Sequence, residues 1–122
     1  MDKQTTILSK AEKILIETDE LIFPVRIEQI LYAEITKSHT IRFYEAGKNY
    51  QFPGNKNVLA SFLKLTGFIP VQANLFVNPC QISEYNIKDQ IVRFPAGLCL
   101  DIHPKFRKTL FDFFSKQNSL SV

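Results

Sequence analysis

Apolar and polar residues alternate with a period of two across the stretch 30–45, ILYAEITKSHTIRFYE. Leu31, Ala33 and Ile35 alternate with Tyr32, Glu34 and Thr36. After a polar break, Ile41 and Phe43 alternate with Thr40, Arg42 and Tyr44. Successive side chains of a strand point to opposite faces, so the pattern predicts a hairpin with one face toward a core and the other in water. The break, Lys37, Ser38 and His39, gathers a cation, a hydroxyl and an imidazole at one end of the sheet. Alone, such a turn is more often a solvated connection, because turns are polar in any case. Held by rigid strands, it is also the best-placed element for recognition.

The same reading extends along the chain. Residues 1–12 show no clear period and are expected to form a flexible arm. Ile14, Leu15 and Ile16 begin a strand, and Leu21, Ile22 and Phe23 form another, closed by Pro24, which cannot donate to a ladder. A strand over 49–52 ends at Pro53 and Gly54. Helical spacing then takes over: Val58, Leu59, Phe62, Leu63 and Leu65 predict one short amphipathic helix, with Asn55 or Asn57 to cap it and Gly67 to end it. Strands follow at 68–72 (interrupted by Pro70), 75–77, 83–87, 90–94 and 98–102. A last helix is expected over 104–117, with Phe106, Leu110, Phe113 and Phe114 as its apolar stripe and Pro104 in the first turn. Residues 118–122 are expected to be a disordered tail. No repeat or linker divides the chain, so 13–117 reads as a single, mainly β domain with one core containing Leu31, Ile35, Ile41, Phe43, Leu59 and Phe62.

Composition narrows the function. With 122 residues, 45% of them hydrophobic, the chain can bury a moderate core without metal or disulfide. The net charge of +3 is uneven: residues 1–61 carry eight basic and eight acidic side chains, residues 62–122 seven and four. Such a surplus permits an anionic partner without requiring one. Four glycines form no phosphate cradle, and two histidines and two cysteines lack ligand spacing. No nucleophile or carboxylate pair has a catalytic setting, so neither an enzyme, a cofactor nor a metal is expected. Cys80 and Cys99 are expected as small buried hydrophobes with reduced thiols. No secretory pattern and no membrane-length apolar run is present, so a cytoplasmic location is the expectation. Three polar loops remain: Lys37, Ser38 and His39; Gln72, Ala73 and Asn74; and Asp101 to His103, ahead of Lys105, Arg107 and Lys108. Side chains of these types reach base edges and phosphates, although the three cations alone would more often be a solvated helix face.

The order of elements resembles the LytTR domain, the DNA-binding module of a family of bacterial response regulators, over about residues 13–115. Gln29-Ile30-Leu31-Tyr32-Ala33-Glu34 is similar to the family's D-I-x-Y-[IF]-E strand. Lys37, Ser38 and His39 fall where the family often has a turn with a DNA-contacting His, and 57–65 where it has its short helix. FIPVQANLFVN, residues 68–78, resembles F-x-R-x-H-R-S-Y-L-V-N, and the final strand and helix resemble the [VI]-S-R ending. The resemblance implies an elongated antiparallel β-sheet or sandwich with one short internal helix and a C-terminal helix. It implies a transcription regulator that binds double-stranded DNA sequence-specifically through loops in successive major grooves, with a dimer on DNA as one arrangement. On this reading Lys37, Ser38, His39, Gln72, Asn74, His103, Lys105 and Arg107 form the DNA face. His39 and Asn74 would meet base edges, and Lys37, Lys105 and Arg107 phosphates. The chain also departs from the family. Pro70-Val71-Gln72-Ala73-Asn74 stands for Arg-x-His-Arg-Ser, Asp101 replaces a serine, and His103 stands where the family has a contacting Arg. Arg is the commonest specific partner of guanine, and Asp101 at a helix start repels phosphate. No receiver domain precedes the module in this sequence, so phosphorylation is not expected as its input. A second reading therefore stays open: a divergent LytTR fold, serving as a protein-interaction or regulatory module, that has lost strong DNA binding.

Overall fold

A computed structural model describes residues 5–10 and 12–120. Strands β1 (Thr6–Lys10), β2 (Lys13–Glu17) and β3 (Ile22–Arg26) form a first antiparallel sheet in that order. Strands β4 (Tyr32–Ile35), β5 (Thr40–Glu45), β6 (Lys48–Pro53), β7 (Ile69–Gln72) and β8 (Leu75–Val77) form the central sheet, ordered β6-β5-β4-β8-β7 and antiparallel throughout. Strands β9 (Glu84–Asn86), β10 (Ile91–Arg93) and β11 (Cys99–Asp101) make the third. Helix α1 (Lys56–Thr66) packs on the first sheet, and α2 (Pro104–Leu120) on β7. The mainly β fold with a short internal helix and a C-terminal helix is the one expected from the pattern.

The predicted hairpin forms, but its outer face does not stay in water. Ala33, Ile41, Phe43 and Phe76 point to one core, shared with Ile7, Ile14, Ile16 and the α1 residue Phe62. Leu31, Tyr32, Leu75 and Val77 point to a second core, shared with Val92, Phe94, Ile102 and Leu110. Leu31 thus leaves the group in which it was expected, and Ile35 and Leu59 are only partly buried against the first core. The cause is that the central sheet is covered on both faces. Its three-residue β8 is accordingly apolar at every position, as a doubly covered strand must be.

Three further differences have local causes. The 6–10 part of the expected flexible arm is strand β1, paired along its whole length with β2 from Thr6 opposite Glu17 to Lys10 opposite Lys13. Its neighbours in sequence, residues 1–4, lie outside the described residues. Strand β3 runs through Pro24 instead of stopping there, because β3 is a sheet edge, where a missing N–H is tolerated. Helix α2 continues to Leu120, so only 121–122 of the expected tail lie outside the described residues. Helix α1 follows the expectation closely. Asn55 Oδ1 accepts from the Asn57 and Val58 N–H groups at 2.9 and 3.1 Å, and Gly67 closes the helix at φ +75°.

Both cysteines are exposed, which corrects the expectation of buried thiols. In β11 the inward position is Leu100, opposite Val92, so Cys99 faces outward with Arg93 and Glu84. Cys80 sits in a short 3-10 turn, Pro79–Gln81, capped by Asn78. A maleimide reagent should therefore label both thiols of the native protein at nearly the rate seen in denaturant. Protection of either one by more than about 100-fold would put it back inside a cooperatively folded region.

Candidate nucleic-acid interface

The β4–β5 turn is tied by its own hydroxyls. The Thr36 N–H donates to the Thr40 carbonyl at 3.0 Å, and the Thr36 hydroxyl meets those of Thr40 and Ser38 at 2.5 and 3.0 Å. His39 closes the turn at φ +59°, a left-handed conformation in which His is enriched among non-glycine residues. Lys37, Ser38 and His39 are all exposed, and the imidazole makes no hydrogen bond among the described residues.

The backbone of this turn is anchored from behind. The Gly54 N–H donates to the His39 carbonyl at 2.9 Å. A Cβ on Gly54 would stand 3.0 Å from Ile41 Cβ, Cγ2 and N, so only glycine lets the segment leading into α1 approach β5 this closely. Exposed Lys56, the first residue of α1, is thereby held near the His39 turn. Lys56 does not stand out in the sequence. Its signal, a glycine followed by a cap and a lysine, acquires meaning only through the hydrogen bond to His39.

The second loop lies beside the first. Antiparallel β8 begins where β4 ends, with Leu75 opposite Glu34, and the Ile35 N–H donates to the Asn74 carbonyl at 2.9 Å. Gln72, Ala73 and Asn74 are exposed, and the Asn74 amide has no protein partner among the described residues. Strand β7 carries Pro70 on the sheet edge and shifts register before Gln72.

The third loop is stapled to the second. The Gln72 side chain donates from Nε2 to the Asp101 carbonyl at 3.1 Å, and the His103 N–H donates to the Val71 carbonyl at 2.8 Å. His103 Nδ1 accepts from the Lys105 N–H at 3.2 Å, so the imidazole caps α2 ahead of Pro104. That bond fixes the neutral tautomer with its proton on Nε2, turned away from the cap. Arg107 Nε donates to the Ile102 carbonyl at 3.3 Å, leaving its two terminal nitrogens for other partners. Lys105 is exposed, with Nζ 5.7 Å from the Phe106 ring centre.

Backbone hydrogen bonds thus join three loops, drawn from 36–39, 72–74 and 101–107, at one end of the central sheet. Lys37, Ser38, His39, Gln72, Asn74, His103, Lys105 and Arg107 all sit on these loops or the first turns of α2, and exposed Asp101 is the acid among them. Among the described residues, no group of three His, Cys, Asp or Glu is placed to hold a metal, and no helix is long and apolar enough to cross a membrane.

No protein-family model matches the sequence, and no curated protein does. A solved structure does match. It is the LytTr DNA-binding domain of a protein described as a methyl-accepting/DNA response regulator from Bacillus cereus. The two are 11% identical, with a TM-score of 0.66, over 86% of this chain and 98% of that one. At that identity the likeness speaks for the backbone, and the backbone here is a LytTR-type fold.

Proposed function

We propose that this chain binds double-stranded DNA sequence-specifically through the three loops, as a regulator of transcription. The observation that carries the reading is the hydrogen-bonded junction of segments far apart in sequence, Ile35 to Asn74 and Val71 to His103, at one end of one sheet. Loops fixed to rigid strands suit insertion into grooves, and the exposed side chains there are of the types that meet bases and phosphates. Roles follow from what each side chain has free. His39 and Asn74 have side chains unengaged among the described residues and are assigned to base edges, with His103 offering its Nε2–H and Gln72 the rest of its amide. Lys37, Lys56, Lys105 and Arg107 are assigned to phosphates, and Asp101 limits the total attraction.

The test is selection from a random pool of duplexes at two low salt concentrations. Enrichment of one sequence class is expected, with binding that weakens as salt rises. If no sequence class is enriched and no salt-dependent retention appears, this reading fails. The second reading, a protein-interaction module, has its own support. An open groove of about 510 Å³ between β9 and α2 leaves Ile87 57% and Phe111 46% exposed. Large apolar side chains left together in water mark contact sites for other proteins.

A further inference from the structure

At the other end of the central sheet, away from the three loops, lies a second cavity of about 310 Å³. It is lined by Tyr32, Tyr44 and Asn49 of the central sheet, with Glu45 and Lys48 at the turn that joins β5 to β6. Tyr32, Tyr44 and Asn49 are direct cross-strand partners on β4, β5 and β6, so their side chains share one face. The Tyr32 and Tyr44 rings stack across the strands, 4.2 Å between centres and 15° apart in plane, and the Phe94 ring centre lies 6.2 Å from that of Tyr32. The Tyr44 hydroxyl donates to Glu34 Oε1 at 3.0 Å and accepts from Arg42 Nη1 at 3.2 Å, which fixes its ring. Rings stacked this way repeat at nearly the strand spacing of about 4.8 Å. The next position in the row lies above β6. There the chain supplies no ring: the residue is Asn49, exposed, its amide without a hydrogen bond among the described residues.

Pro95, Ala96 and Leu98, from the β10–β11 hairpin, form the facing wall. Ala96 is held at φ +69°, a left-handed conformation that costs free energy in a residue other than glycine. Strain of this kind collects where a wall has to keep a set shape around a ligand. A planar group entering the cavity would lie face-on to Tyr44, and its lower edge would meet the Asn49 amide. That amide donates and accepts along one edge, the pairing used to hold adenine.

We propose that this cavity binds a planar, uncharged heteroaromatic small molecule of the nucleobase kind, stacked on Tyr44 and hydrogen-bonded along one edge to Asn49. The site is independent of the DNA-binding loops, and its test does not depend on them. Adenine and indole are titrated into 15N-labelled protein, with amide shifts as the readout. Adenine, which has the edge, and indole, which offers the ring with little of it, should both shift amides of 44–49 and 95–98 saturably, with roughly millimolar affinity. Asn49→Ala should weaken adenine about 2- to 12-fold and leave indole unchanged. Tyr44→Phe, which keeps the ring, should retain both, and Tyr44→Ala should weaken both by about 5- to 150-fold. Should Tyr44→Ala fail to fold, the contrast between adenine and indole in Asn49→Ala decides. Absence of saturable shifts in these segments, or equal adenine affinity in wild type and Asn49→Ala, overturns the proposal.

Discussion

Replacing Phe62 by alanine is expected to remove about 3–5 kcal/mol of stability, as measured by urea denaturation with an unchanged slope. Phe62 is fully buried and is the one buried residue on α1. Its ring lies 5.0 Å from Phe43 on the central sheet and 4.9 Å from Phe68, which begins the return of the chain to β7. The side chain therefore joins the helix, the central sheet and the first sheet in one core. Its removal leaves a cavity between elements that other contacts hold in place, which keeps the site from collapsing. Leu59→Ala, at a partly buried position on the same helix, should cost clearly less. A loss below about 1 kcal/mol for Phe62→Ala would mean that α1 is not anchored through this ring.

Such a core was legible in the sequence because its cause is local. The period of two in β4 and β5, the Asn55 cap, Gly67 at a left-handed position and Pro104 in the first turn of α2 each act within a few residues. What could not be read depends on partners far along the chain. Among the described side chains of β1 only Ile7 is buried, which gives no visible period, and only pairing with β2 makes that segment a strand. Alternation in β4 and β5 marks two faces but does not say that both will be covered, so Leu31 was placed in the wrong core. Cys99 looked apolar by type, whereas the register of β11 turns it outward opposite Arg93. The candidate interface divides in the same way. Residue types at the loop tips were legible. The bonds that engage Gln72, His103 and Arg107 and bring Lys56 up to the His39 turn were not.

Those bonds sharpen what DNA binding should look like. With Lys37, Lys56, Lys105 and Arg107 on phosphates, four contacts release counterions. Log K should then fall against log salt with a slope of about −3.6, since each contact contributes about −0.9. A side chain that only holds phosphate should act on all sequences alike. Lys105→Gln is accordingly expected to flatten the slope by about one unit and to weaken selected and random duplexes equally. It should leave the α2 cap intact, because His103 accepts from the Lys105 main chain. His39→Ala tests the other role. Its imidazole has no hydrogen bond among the described residues, while its main chain holds the turn through Thr36 and Gly54, so truncation removes a reader and leaves the loop's backbone bonds in place. The expected loss is roughly 1–3 kcal/mol of discrimination between the selected site and a single-base variant, with the slope nearly unchanged while the ring is neutral. The measurement is a set of titrations of each variant against both duplexes at several salt concentrations. If His39→Ala instead flattens the slope and spares the discrimination, His39 is a phosphate contact, and base reading passes to Asn74 and His103.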